Sequence, residues 1–135
     1  FKKSPEDDLL NMQTGIFGYK GRVHFQTASC INEELEALRE LPKNEFFTRV
    51  SQLIDKHIYR NYRLYPGNYV ACDLLQEGHA YAAYYTGEEK QRFMDYLQQK
   101  LDLIQLPHKD EAFLRHCLLA MYANPALNHF KSAGE

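Results

Sequence analysis

Apolar residues recur along most of the chain at the three- and four-residue spacing of an amphipathic helix. Ser4 and Pro5, followed by acidic residues, predict a first helix that ends near Gly15. Asn32, followed by two glutamates, predicts a short helix that stops before Pro42. The remaining predicted helices span residues 44–65, 69–77, 87–104 and 109–123.

Two segments lack a clear helical period. Polar and apolar residues alternate from 22 to 26, and this alternation predicts a half-buried strand. Residues 79–85 are apolar and aromatic but too few to show a period, and we interpret them as helix. We therefore predict a mainly α fold, a helical bundle of about five to six helices with one or two short strands near the N-terminus.

The length of 135 residues is enough for one sizeable core, whereas two cores of this size would each be marginal. We therefore predict a single domain over residues 1–135. Within it, residues 1–29 would form a helix, a loop and a late strand, and residues 30–135 would form the helical bundle. The start at Phe1 instead of a methionine suggests a piece of a longer protein.

The predicted helix at 44–65 carries two different faces. Its apolar stripe, which we expect to be buried, consists of Phe47, Val50, Ile54, Ile58 and Tyr65. The other side carries the most concentrated positive charge in the chain, from Arg49, Lys56, Arg60 and Arg63. These four cations are our candidate anion- or membrane-facing surface, although a solvated helix face would show the same pattern.

Composition excludes several classes of protein. The net charge of −2 lacks the basic footprint of a nucleic-acid binder, so we predict no nucleic-acid partner. The longest uninterrupted apolar run has seven residues, 117–123, far fewer than the roughly 20 of a membrane-spanning helix. Three widely spaced cysteines without a signal-peptide pattern indicate a reducing, cytoplasmic compartment.

The residues that could carry chemistry show no catalytic or metal-binding spacing. Six histidines and three cysteines form no close ligand pair, so we predict no metal site, no cofactor and no catalytic residue. We interpret His57 as a core histidine, since no acid lies one turn away to orient its ring. Asp73 is either solvent-facing or a buried structural acceptor. Seven tyrosines between Tyr59 and Tyr85 fit a core or a binding surface.

Residues 55–75, DKHIYRNYRLYPGNYVACDLL, resemble the C-terminal region of a family of bacterial glycerolipid acyltransferases of the 1-acylglycerol-3-phosphate type. Further blocks resemble the same family in the same order, so that the resemblance covers almost the whole chain. These blocks are DDLLNM at 7–12, GYKG at 18–21, VHF at 23–25 and MYANP at 121–125.

The resemblance implies transfer of a fatty acyl group from an acyl thioester to a lysophospholipid-like hydroxyl, by a histidine base in a His-x4-Asp motif. None of the six histidines is followed by an aspartate five positions later, so no catalytic residue can be carried over. The chain is then the C-terminal accessory region of a longer enzyme and is inactive alone, with the catalytic domain before Phe1.

That assignment also implies partners and a location. The partners would be the missing N-terminal catalytic domain and an acyl carrier or a membrane surface, with the chain cytoplasmic or peripheral at the inner membrane face. The unpaired edge of the predicted strand, or a helix, would make the isolated chain a homodimer. The alternative to the accessory region is a non-enzymatic helical protein-interaction module.

Overall fold

Six α-helices account for most of residues 4–134, the part of the chain that the computed structural model describes. The prediction of a mainly helical fold is confirmed. The helices are α1 (Pro5–Phe17), α2 (Asn32–Ala37), α3 (Lys43–Asn61), α4 (Pro66–Leu75), α5 (Gly87–Asp102) and α6 (Glu111–Ala133). Residues 79–85, predicted as helix, instead form a turn that contains a short 3-10 helix, Ala82–Tyr84.

The core lies between α4, α5 and α6. Val70, Ala71 and Cys72 of α4 are fully buried, and they pack with small residues of α6 such as Ala123 and Ala126. Phe93 and Leu97 close the core from α5. Because alanines line the contact between α4 and α6, the two helices can approach closely, and this is the most extensive helix pair in the fold.

Local capping explains where several helices begin and end. At the start of α5, the Thr86 hydroxyl accepts a hydrogen bond from the Glu89 amide at 3.2 Å, and Glu89 in turn accepts from the Thr86 amide, which is a capping box. At the end of α4, the Gly78 amide donates to the Asp73 carbonyl at 2.9 Å. The residue before it, Glu77, has the left-handed conformation common after a helix end, with a φ of 51°.

The predicted strand at 22–26 is wrong. No residue between 4 and 134 is in a β-strand, and residues 21–30 are exposed and have no regular secondary structure. A strand needs a partner for its backbone hydrogen bonds, and the described part of the chain offers no second strand. The alternation of polar and apolar residues therefore reflects an exposed connection between α1 and α2.

The apolar face of α3 that we predicted to be buried is largely exposed, and its remaining members, Val50 and Tyr65, are only partly buried. Phe47, Ile54 and Ile58 retain 56%, 42% and 50% of their surface accessible to solvent. Helix α3 packs on α6 through its other side, where the Tyr59 carbonyl lies 2.7 Å from His129 Nδ1. The stripe was assigned to the core because it is apolar, but α6 covers the polar side instead.

Helix bounds differ most from prediction at the ends of α3 and α6. Helix α3 ends at Asn61 instead of residue 65, so Arg63 and Tyr65 lie beyond the helix. Helix α6 was predicted to end at Ala123, before Asn124 and Pro125, but it continues to Ala133 with the proline inside it. A proline within a helix has no amide hydrogen to donate to the carbonyl four residues earlier. The continuation of α6 therefore needs stabilisation from elsewhere in the fold.

Candidate functional site

The four cations of the candidate surface occupy three different environments. Arg49 and Lys56 line one groove, and Arg49 Nε lies 4.0 Å from Glu45 Oε1. Arg60 donates two hydrogen bonds, of 3.0 and 2.7 Å, to the carbonyl oxygen of Ser132. The Arg63 guanidinium lies over the Tyr65 ring, 5.6 Å from its centroid, and lines a second groove. The structure thus brings Arg49 and Lys56 together and places Arg60 and Arg63 elsewhere.

The larger groove, here called the α3 groove, lies between residues 22–32 and the exposed face of α3 and has a volume of about 930 Å³. Its charged side chains are Arg22 and Arg63, its other titratable side chains are two histidines, two tyrosines and Cys30, and no aspartate or glutamate lines it. Its apolar lining comes from both sides and includes Val23, Phe25, Ile31, Ile54 and Ile58.

The second groove lies where α2, α3 and α6 meet and has a volume of about 820 Å³. Its cations are Arg49, Lys56 and Lys131, while Glu34 and Asp55 bring carboxylates to the same lining. Opposite charges interspersed in this way make a mixed polar surface, which favours no single charge of ligand.

A histidine–carboxylate contact was missed by the sequence analysis. His57 Nε2 lies 3.3 Å from Glu34 Oε1, which α2 supplies from 23 residues earlier in the chain. His57 is therefore not a core histidine but a partly exposed one at the edge of the α3 groove. No spacing signal could reveal this pair, because its members lie on different helices. Cys30 lines the same groove, yet within residues 4–134 no hydrogen bond joins its thiol to His57.

Polar side chains of the block that carries the family resemblance bind α6 around its internal proline. The Tyr62 hydroxyl donates to the carbonyl of Pro125 itself. Asn68 Nδ2 donates to the Tyr122 carbonyl at 2.9 Å, and Cys72 Sγ donates to the Ala123 carbonyl at 3.5 Å. These contacts tie α4 and the turn before it to the very segment of α6 that the proline weakens. The block therefore serves as a structural lock between α4 and α6.

Asp73 is a buried structural acceptor, the second of the two roles that the sequence left open. Only 3% of its surface is exposed, and it accepts hydrogen bonds from the Tyr85 hydroxyl at 2.7 Å and the Tyr81 amide at 3.0 Å. Burial and this hydrogen bond raise the pKa of Tyr85 to about 12. Burial, with a smaller contribution from Asp73, also raises the pKa of the Cys72 thiol, so that Cys72 is not an activated nucleophile.

The tyrosine-rich segment packs mainly within the fold. Tyr69 stacks on Tyr84 with 4.5 Å between ring centroids, and Tyr81 stacks on Phe130 of α6 at 5.2 Å. Contacts among these rings hold α4 and the turn after it against the C-terminal half of α6. Of the two explanations left open for the tyrosines, packing accounts for these three tyrosines, although Tyr84 keeps 53% of its surface exposed.

Metal-binding clusters, membrane-spanning helices and similarity to known proteins are three further features that bear on function. Within residues 4–134, no group of three or more His, Cys, Asp or Glu side chains could hold a metal ion. No helix in that range combines the length and the apolar character needed to cross a bilayer. No family model, no curated protein and no solved structure matches the chain.

Proposed function

We propose that this chain is the non-catalytic C-terminal accessory region of a bacterial glycerolipid acyltransferase. The observation that carries the proposal is the lock between α4 and α6. The residues that most resemble the family, among them Tyr62, Asn68 and Cys72, bind backbone carbonyls of α6 instead of lining a reactive site. A block used in this way supports a scaffold role and leaves acyl transfer to a separate catalytic domain.

The accessory region would dock on that domain through α1. The apolar side chains of α1 are 61–80% exposed, and the helix belongs to none of the packed helix pairs of the fold. An exposed apolar helix of this kind is typical of a surface that another protein covers. The residues concerned are Leu9, Leu10, Met12, Ile16 and Phe17.

The reading frame of the source gene tests the proposal first. We expect it to encode a His-x4-Asp motif upstream of this chain, and a frame without the motif would contradict the proposal. In the full-length enzyme, Ile16→Glu should lower the rate of acyl transfer because it places a charge in the docking surface. The matched variant Asn11→Glu, on a different face of α1, should leave the rate unchanged. Equal rates for both variants would overturn the docking role of α1.

A second candidate function is a non-enzymatic helical protein-interaction module. The exposure of the same α1 residues favours it, because that surface needs only a protein partner and no particular chemistry. The two candidates differ in what the full-length protein does with a long-chain acyl thioester and a lysophospholipid acceptor. Release of the thiol supports the acyltransferase, and its absence from a folded full-length protein supports the module. The isolated chain should release no thiol in either case.

A further inference from the structure

We infer that the α3 groove binds a long-chain fatty carboxylate, with its hydrocarbon tail along Ile54 and Ile58 and its head group at Arg22 and Arg63. This inference goes beyond the proposed function, since an accessory region can dock on a catalytic domain without binding any ligand. It rests on three features of the groove: its apolar walls, the sign of its charges and the end at which those charges lie.

The walls and the size of the groove fit one hydrocarbon chain. Ile54 and Ile58 are half-exposed on α3, and Val23, Phe25 and Ile31 line the groove from the segment between α1 and α2, where Val23 and Phe25 are 64% and 92% exposed. The distance along α3 from Ile54 to its last residue corresponds to about 10 Å of helix rise. The volume of about 930 Å³ lies within the range of small-molecule sites. Covering these side chains with a tail would remove apolar surface from water.

The charges of the groove select an anionic head group. Arg22 and Arg63 line it, and neither forms an ion pair with a carboxylate in residues 4–134. No aspartate or glutamate lines the groove, and Glu34, beside it, contacts His57. A guanidinium binds a carboxylate through two parallel hydrogen bonds, which gives the head group both energy and orientation.

Both arginines lie at the same end of the groove. The contact between Glu34 and His57 places the start of α2 beside the middle of α3. The lining from α3 and the residues after it runs from Ile54 to Tyr65, and the lining from the other side runs from Asn32 back to Arg22. Because the two sides meet where Glu34 contacts His57, we expect Arg22 and Arg63 to lie together at the other end of the groove. The groove is therefore apolar in its middle and cationic at one end.

Titration calorimetry with dodecanoate, below its micelle concentration, tests the inference on the intact chain. We expect saturable binding of one dodecanoate per chain. Dodecanol, which keeps the tail but has no charge, and acetate, which keeps the charge but has no tail, should each bind at least about tenfold more weakly. Binding of dodecanol as tight as that of dodecanoate would overturn the role of the arginines, and non-saturable uptake would overturn the site.

Two variants separate the head-group site from general loss of structure. The double variant Arg22→Gln/Arg63→Gln should bind dodecanoate about tenfold more weakly, while Arg92→Gln should bind it as the parent does. Arg92 is a suitable control because it is exposed on α5 and pairs with Glu88 at 2.6 Å. Ile54→Asn should weaken the tail contact in the same assay, with circular dichroism showing that the fold is kept. Unchanged affinity in both groove variants would contradict the inference.

A chemical readout locates the bound ligand. Cys30 is exposed and lines the groove, whereas Cys117 is exposed on α6, outside it. Dodecanoate should slow alkylation of Cys30 several-fold and leave that of Cys117 unchanged. Equal rates at Cys30 with and without dodecanoate would place any binding elsewhere on the molecule and overturn the assignment.

Discussion

The side-chain amide of Asn68, in α4, forms hydrogen bonds both to the residue before α4 and to α6. Its oxygen accepts from the Tyr65 amide at 2.9 Å, and its nitrogen donates to the Tyr122 carbonyl at 2.9 Å. Asn68→Ala removes both bonds, and we expect it to lower the free energy of unfolding by about 2 kcal/mol, measured by urea denaturation. Asn44→Ala, at an exposed position on α3, should change it by less than about 0.5 kcal/mol. Equal losses would contradict the lock.

The hydrogen bond from Tyr85 to Asp73 should make stability depend on pH in the alkaline range. Tyr85→Phe should cost about 1 kcal/mol at pH 7, because the buried Asp73 loses its hydroxyl donor. Since the pKa of Tyr85 is raised to about 12 in the folded chain, its contribution is complete below the ordinary pKa near 10. It is lost as the pH rises towards the folded value.

Urea unfolding of both proteins between pH 7 and pH 12 checks this dependence. The difference in stability between the parent chain and Tyr85→Phe should stay constant up to about pH 10 and shrink above it. The comparison cancels the titration of the other tyrosines, which both proteins share. A difference that remains constant to pH 12 would show that the Tyr85 hydroxyl is not bound to Asp73.

The role of a polar residue could be predicted from the sequence only where its hydrogen-bond partner lies close to it in the chain. The roles possible for Asp73 could be stated from its position in an apolar helix, but its donors, Tyr81 and Tyr85, come from the turn that follows. His57 was assigned to the core because no acid lies one turn away from it on α3. Its partner Glu34 comes from another helix, and a sequence pattern cannot report that distance.

The contact between α4 and α5 depends on the absence of a side chain at Gly67. A Cβ atom at this position would lie 2.9 Å from Cδ2 of the buried Phe93 ring. Gly67→Ala should therefore lower the free energy of unfolding by about 1–3 kcal/mol, although alanine is the better helix former. Gly87→Ala, at the start of α5, meets no atom within 4 Å and should be neutral or slightly stabilising. Thermal and urea denaturation measure both, and a neutral Gly67→Ala would contradict the packing described.

Helices with local signals were the easiest elements to predict. The start of α5 follows from its capping box, which involves only residues 86–89. The end of α6 was placed ten residues too early, because Pro125 is a helix-breaking signal. The side chains that hold α6 on either side of it, from Tyr62, Asn68 and Cys72, lie more than fifty residues earlier in the chain. The strand at 22–26 failed for the same reason, since pairing also depends on distant residues.

The mainly helical class of the fold could be predicted from the sequence. Which side of each helix packs against its neighbours could not. The basic side of α3 can be buried as well as exposed, because long basic side chains have apolar stems that cover apolar surface and charged ends that reach water. The packing of α6 on the side with Tyr59 and Arg60 leaves Ile54 and Ile58 to form a groove. The candidate site therefore consists of two segments whose proximity only the fold reveals.

The exposed apolar residues of α1 lead us to expect that the isolated chain associates with itself. The segment 22–26 forms no strand in the described chain, so we expect α1 to mediate the predicted homodimer. Its apolar side chains lie outside the packed body, and deletion of residues 1–18 should change the free energy of unfolding by less than about 0.5 kcal/mol.

Light scattering at high concentration should detect a dimer of the intact chain and a monomer of the deletion variant. Ile16→Glu should weaken the dimer, because a charge would be buried between apolar surfaces, whereas Asn11→Glu should leave it unchanged. A dimer that persists without α1 would contradict this prediction and place the interface on another exposed apolar surface, such as the α3 groove or Leu103 and Leu106 after α5. Dodecanoate should dissociate such a dimer only if its interface is the α3 groove, because tail and partner would then compete for the same side chains.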